Sequence, residues 1–373
     1  MKVLLVASRS LAGQRRGDQL RGRQIAAALA AEQVTVLEPG SGWRKPSVSQ
    51  QALALGRALL DARPLQTAVV PSPDLVEHVE RLAPEHDLVV VMLARLAEVI
   101  PACGSTPVLI DLVDALSLNA ASRARVETFG RSFAWRREAR TLVRLEHEVI
   151  AAARRATVVC ERDRLVLAQS LGSPLAGRLE VVPLAVELSS RPGRRRVPRR
   201  IVLSGNLGYF VNHDAVLSFL GGPWTTLVQR GFELIVAGDR PTTRLAARIG
   251  SAGAQLERAP EDLAAVVATA SVAVAPTRCG AGVPVKVLEA WALGVPVVAS
   301  PFAAAGADLI DGETGLIADS PHEWVQAIER LERDEALRSR LTRQAREQVA
   351  AVHGPARVTA RWRQIAEEAA QNQ

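Results

Sequence analysis

Three side chains fall within one short segment in a pattern that suits an anion: Arg278, Lys286 and, three residues later, Glu289. Residues 272–300 read VAVAPTRCGAGVPVKVLEAWALGVPVVAS. The pattern predicts a strand at 272–275, a loop at 276–282, a helix at 283–293, a stop at Gly294 and a second strand at 297–299. A glycine-containing loop entering a helix presents free backbone N–H groups and the positive end of the helix dipole, which suits a diphosphate. The backbone of Gly280, Ala281, Gly282 and Val283 would meet such a ligand, with Arg278 and Lys286 as flanking cations. Glu289 shares a helical face with Lys286, and a carboxylate there can accept hydrogen bonds from two vicinal hydroxyls, as a ribose offers. The plainer alternative is an ordinary strand–loop–helix unit with Lys286 and Glu289 as a surface pair. No Walker-type Gly–Lys–Ser/Thr sequence is present, which argues against an ATPase.

The elements around this segment are short β-rich apolar runs alternating with Ala/Leu/Arg helical stretches. In the first half the predicted strands are 2–8, 34–38, 67–70, 88–93, 108–114, 156–161 and 180–183. These runs are continuous rather than alternating, as in strands covered on both faces. Helical patterns such as 19–31 separate most of them, which argues for a parallel, doubly wound α/β sheet. Residues 189–200, SSRPGRRRVPRR, break the pattern and read as an interdomain linker. The cycle restarts with strands at 201–204, 233–237, 255–257, 272–275, 297–299 and 316–318, then helices at 321–331, 334–350 and 355–370. The expected organisation is an N-terminal domain at 1–188, the linker, a second domain at 201–354, and a C-terminal helix at 355–373 that can pack back on the first domain. Open α/β sheets bind ligands at the carboxyl ends of their strands, so two such domains facing a cleft would place the site there.

At 373 residues the chain suits two domains of roughly 180 residues each. No run approaches the ~20 apolar residues of a membrane span, and residues 1–8 enter a strand without signal-peptide features. Cys103, Cys160 and Cys279 lack metal-ligand spacing and read as buried thiols of a reduced, cytoplasmic protein. Net charge is +7, yet Lys occurs only at Lys2, Lys45 and Lys286. The Arg and Ala excess is what a GC-rich genome produces, and aromatics at 3% leave few stacking residues, so nucleic acid is not an expected partner. Phosphate-bearing small molecules or an anionic membrane surface suit the modest positive charge equally well.

The central segment resembles the donor-binding motif of retaining glycosyltransferases of family 4, which have the two-domain GT-B fold. Glu289 matches the second glutamate of that signature, and Ala290, Gly294, Pro296, Val297 and Val298 match its continuation. The first glutamate would fall at position 281, which is Ala. The sugar transferases of exopolysaccharide and exosortase (PEP-CTERM) loci also lack it, and this chain resembles them along nearly its whole length. Pro276, Arg278, Gly282, Lys286, Val287, Leu288, Glu289 and Ala290 carry the likeness in the second half. So do Leu203-Ser204-Gly205 and Asn212-His213-Asp214-Ala215. In the first half Gly17-Asp18-x-x-Arg21, Asp111-Leu112-Val113-Asp114 and Glu138…Leu142…Glu146 do the same.

The resemblance implies a glycosyltransferase of hexosyltransferase type, moving a sugar from a nucleoside-diphosphate donor to an acceptor hydroxyl, with retention. No cofactor is implied beyond that donor as co-substrate, and no metal, since Arg278 and Lys286 can replace one. Glu289 would bind the ribose. Gly205 and Asn206 would approach the phosphates, a plain turn being the alternative for Asn206. Glu261-Asp262-Leu263 would line a nucleobase pocket, or supply a helix N-terminal acid. Asp18, Asp114 and His213 are candidates for positioning or deprotonating the acceptor hydroxyl, against capping or loop roles for the two aspartates. The acceptor is a glycan, a lipid-linked sugar or a small molecule. Arg15, Arg16, Arg21 and Arg23 could contact an anionic acceptor. The basic stretch 123–155 reads as a solvated helix face, or as a peripheral contact with anionic lipid at the inner membrane face. Two further functions share these features: a nucleotide-sugar 2-epimerase, and a degenerate nucleotide-binding partner subunit.

Overall fold

The computed structural model describes residues 1–12, 17–30, 32–40, 43, 46–67, 73–189 and 196–371. The chain divides into two compact units, one of Met1–Ala185 with Ala356–Gln373 and one of Val186–Pro355. Half of the expected linker, 190–195, lies outside the described residues, as do 68–70 of the predicted strand at 67–70 and both Arg15 and Arg16.

The first unit holds β1 (Lys2–Val6), β2 (Gln33–Leu37), β3 (Leu88–Met92), β4 (Val108–Val113), β5 (Arg155–Val158) and β6 (Leu179–Val181) in the order β2-β1-β3-β4-β5-β6. Every pairing is parallel. The continuous apolar runs exist because both faces are covered. Leu4, Val6, Val89, Val91 and Ile110 pack toward Leu75, Leu142 and Val149. Val3, Leu5, Val90 and Leu109 pack toward Ile25 and the last helix, Pro355–Ala370, through Trp362 and Ile365.

The Gly-Asp-x-x-Arg stretch has a structural explanation here. Arg21 and Asp111 are both 0% exposed and form a two-pronged ion pair, Nε to Oδ2 at 3.0 Å and Nη2 to Oδ1 at 3.1 Å. Arg21 Nη1 also donates to the Val182 and Pro183 carbonyls, the guanidinium lies 4.4 Å from the Trp362 ring centroid, and Thr157 donates to Asp111. One buried fork therefore ties the first helix, β4, β5, the end of β6 and the last helix together. The expectation that Arg21 meets an anionic acceptor is thereby corrected, and Arg23 is spent on the Leu11 carbonyl. Arg21→Ala leaves Asp111 an uncompensated buried charge and is expected to cost about 3–5 kcal/mol in denaturant unfolding. Arg21→Lys should not restore it, because an ammonium lacks the fork.

The second unit holds β7 (Arg200–Ser204), β8 (Glu233–Gly238), β9 (Gln255–Arg258), β10 (Val272–Ala275), β11 (Val297–Ala299) and β12 (Leu316–Ile317), all parallel, in the order β12-β11-β10-β7-β8-β9. Read from β9, this is the Rossmann order of dinucleotide-binding sheets. Ile201, Leu203, Val236 and Val274 face one helical layer with Phe219 and Ile328, and Val202, Ala237, Ala275 and Val297 face the other with Leu288 and Trp291. All three cysteines are buried and none forms a disulfide. Among the described residues no helix is long and apolar enough to cross a membrane.

Candidate active site

In the second unit the strand order reverses between β7 and β10. The loops leaving these two neighbours diverge to opposite sides of the sheet, which opens a crevice at their carboxyl ends. The expected donor-site residues Gly205, Asn206, Arg278, Gly280, Ala281, Gly282, Val283, Lys286 and Glu289 sit on those two loops and the helix that follows β10.

After β10 the loop runs to Pro284, and the helix spans Val285–Ala292 rather than beginning at Val283. The proline explains the difference, because the residue before a proline is disfavoured in the helical region. Pro284 is the N-cap and supplies no side-chain hydrogen bond. Gly280 and Gly282 both have positive φ, 121° and 68°, a backbone that only glycine adopts without strain.

Lys286, in the first turn of this helix, is half-buried and donates from Nζ to Asn212 Oδ1 at 2.8 Å. Asn212 in turn donates to the Asn206 carbonyl at 3.0 Å. Desolvation lowers the lysine pKa to about 8, opposed by the Glu289 carboxylate. Lys286 is oriented by Asn212, while Glu289, whose charge still acts on it, is exposed. Arg278 makes a two-pronged pair with Asp214, Nε to Oδ2 at 3.1 Å and Nη2 to Oδ1 at 2.6 Å, which raises its already high pKa. Asn212, His213 and Asp214 lie in the first turns of the helix Phe210–Gly221, so the two cations are each oriented by one residue of a single helix.

The loop after β7 is shaped around the same asparagine. Gly205 has φ 146°, and a Cβ there would stand 2.9 Å from Asn212 Nδ2. Asn206 Oδ1 accepts from the Gly208 N–H at 3.1 Å, the turn contact given as the alternative for this residue. Gly205→Ala must displace Asn212, the partner of Lys286. It is expected to weaken nucleoside-diphosphate binding by about tenfold, measured by calorimetry, with a smaller effect on folding. Of the acids at 261–262, Asp262 takes the helix N-terminal role given as the alternative: it is the N-cap of Leu263–Val267 and accepts from Ala265 N at 2.9 Å.

In the first unit, Asp114 follows β4 at a bulge in its pairing with β5. Val113 is forced to φ 63°, a conformation a β-branched residue avoids and one that marks stored strain. The helix Leu116–Val126 has no cap of its own. Two carboxylates distant in sequence fill its N-terminus instead: Asp163 accepts from Ala115 N at 2.9 Å and Glu146 from Ser117 N at 3.0 Å. Asp114 is thus relieved of capping and left partly buried beside acids. Desolvation, then Asp163 and Asp18, push its pKa up to about 7, while Arg95 and Arg162 pull the other way. Glu146, itself fully buried, is likewise raised to about 7, mainly by desolvation. Asp18 is differently placed, accepting from Arg9 Nη1 at 2.7 Å. Asp18 and Asp114 lie in the first unit and His213 in the second.

Sequence reasoning did not assign Asn212, Asp214, Asp163 or Glu146 these roles. The Asn-His-Asp-Ala stretch contains Asn212 and Asp214, whereas nothing in the sequence marks Asp163 and Glu146 as caps of another helix. Glu138 accepts from the Leu65 and Gln66 N–H groups and is a structural anchor.

Residues 198–334 match the family described as glycosyl transferases group 1. An exopolysaccharide phosphotransferase of Streptomyces coelicolor is 30% identical over 188 residues, 48% of this chain and 20% of that protein, so this chain spans about a fifth of its length. Sucrose-phosphate synthase of Thermosynechococcus elongatus superposes with TM-score 0.71 at 18% identity, covering 99% of this chain and 98% of that one. HepE of Anabaena, solved with UDP-glucose, gives 0.67 at 15%, covering 98% of each chain. TarM of S. aureus, solved with UDP, gives 0.60 at 13% over 78% of this chain and 58% of that one. The chain therefore has the GT-B fold of two parallel-sheet units, and its second unit carries the segment that matches the group 1 glycosyl transferases.

Proposed function

We propose that the chain is a glycosyltransferase that moves a sugar from a nucleoside-diphosphate donor to an acceptor hydroxyl, with retention and without a metal ion. The observation that carries this reading is the half-buried Lys286 ammonium, held by Asn212 at the point where the sheet order reverses, inside the segment matching group 1 glycosyl transferases. As the glycosidic bond breaks, its electron pair passes to the leaving β-phosphate oxygen. Lys286 and Arg278, already oriented by Asn212 and Asp214, stabilise the charge that develops there. The N–H groups from Gly280 to Val283 and of the uncapped helix end add donors to the phosphates, with Gly205 and Asn206 across from them on the β7 loop. Glu289 takes the ribose hydroxyls. Asp114 accepts the proton of the acceptor hydroxyl, and Asp18 and His213 position the reacting groups. HepE and TarM, solved with UDP or UDP-glucose, support a nucleotide-sugar donor. The family 4, exopolysaccharide-associated character rests on the Glu289 motif and on the name of the Streptomyces relative.

That name also favours a second reading, transfer of a sugar phosphate. The leaving groups separate the two. Glycosyl transfer breaks the bond from sugar carbon to phosphate oxygen and releases a nucleoside diphosphate, whereas sugar-phosphate transfer breaks the diphosphate and releases a monophosphate. Chromatography of the nucleotide formed from a panel of nucleotide sugars with glycan and lipid-linked acceptors decides between them. Acceptor-dependent diphosphate release is expected. Monophosphate release would replace this reading with the second, and conversion of the donor to an epimer without acceptor would make the chain a 2-epimerase.

A further inference from the structure

The first half of the long helix Phe129–Ala152 presents side chains that a purely solvated face does not need. Phe129 and Phe133 are 95% and 73% exposed. With Arg136 and Arg140 they keep the spacing i, i+4, i+7, i+11, which is one stripe of a helix. The opposite face is buried through Glu138, Leu142, Leu145 and Val149, so the stripe points away from the unit's core. Arg125, Arg131, Arg136 and Arg140 are exposed, and between 125 and 144, all of them described, no carboxylate is. Glu127 has a side chain only 5% exposed and is engaged by Arg123 and Arg131. The helix Val48–Leu60 is tied to the same stretch, because Arg137 donates to the Ala58 carbonyl at 3.2 Å, and it ends in Leu60, 86% exposed.

Aromatic rings on one stripe beside guanidiniums with no exposed acid among them match the composition of helices that lie in a lipid interface. The rings reach the upper acyl region and the guanidiniums meet lipid phosphates, to which their planar fork is suited. A second copy of the chain fits poorly, since a two-fold contact through this face would oppose the same arginines. We propose that this face docks the protein onto an anionic bilayer surface. Such docking is independent of the chemistry at the nucleotide site.

The test is flotation of the full chain with phosphatidylcholine vesicles, with and without phosphatidylglycerol, at low and high salt. Binding is expected only with the anionic lipid, falling as salt rises. It should weaken by about tenfold or more in Phe129→Ser/Phe133→Ser and again in Arg136→Gln/Arg140→Gln. Both pairs are solvent-facing, so circular dichroism and Tm should match the wild type. Absence of binding to anionic vesicles would overturn the proposal, as would binding unchanged in both folded variants or equal binding to neutral vesicles. Light scattering covers the other occupant: a dimer abolished by the Phe129→Ser/Phe133→Ser change would assign the face to a second copy instead.

Discussion

Lys286→Ala is expected to weaken nucleoside-diphosphate binding by about two to three orders of magnitude, since it removes a half-buried cation from a preorganised site. Glu289→Ala, at an exposed position, should cost about tenfold. The lysine pKa of about 8 sets the pH dependence. A bound diphosphate favours the ammonium, so affinity should be full below about pH 8 and fall as the free site loses its proton above it. Stability runs the other way. Between about 8 and the ordinary lysine value the folded state holds fewer protons than the unfolded one, so stability rises with pH there, and below pH 8 the folded protein carries a desolvation penalty. Lys286→Met should therefore abolish binding without lowering the Tm at pH 7. Calorimetry and thermal melts on the same preparation separate the functional loss from a folding defect.

Asp114→Asn is expected to lower kcat by about 10²–10⁴-fold while leaving donor affinity intact, the range associated with a general base. With a pKa of about 7 in the folded protein, the wild-type rate should drop about tenfold per pH unit below that value. The same shift sets the sign for stability. From about pH 4 to 7 the folded state holds more protons than the unfolded one, so Asp114 costs stability as pH rises through that window, and Asp114→Asn should raise the Tm at pH 8. Asp163→Asn tests how the value is set. The amide oxygen can still accept from Ala115 N, but the charge that raises Asp114 is gone, so the acid limb should move to lower pH. A lower Tm with an unmoved limb would make Asp163 a cap and nothing more.

Much of the fold was legible because burial on both faces leaves continuous apolar runs. The strands at 272–275 and 297–299 and the helix at 355–370 coincide with the observed β10, β11 and Pro355–Ala370. The loop-to-helix segment was legible from its glycines and cations, although the helix start was read two residues early because the effect of Pro284 on Val283 was overlooked. What the sequence hid are pairings between residues far apart along the chain. Arg278 meets Asp214 64 positions away, Lys286 meets Asn212 across 74, and Arg21 meets Asp111 across 90. Such pairs depend on strand order, which periodicity does not report. For the same reason Arg21 looked like a surface cation and Glu146 like a member of a charged helix face. A helix capped by acids from two other elements has no local signature at all.

The most direct measurement is calorimetric titration of the wild type and Lys286→Ala with UDP, GDP, ADP and dTDP. One diphosphate is expected to bind the wild type, to be lost in the variant, and to take up protons when titrated just above pH 8. Failure of all four to bind the wild type, or binding of equal strength in Lys286→Ala, would contradict a nucleotide-sugar site at the β7–β10 crevice.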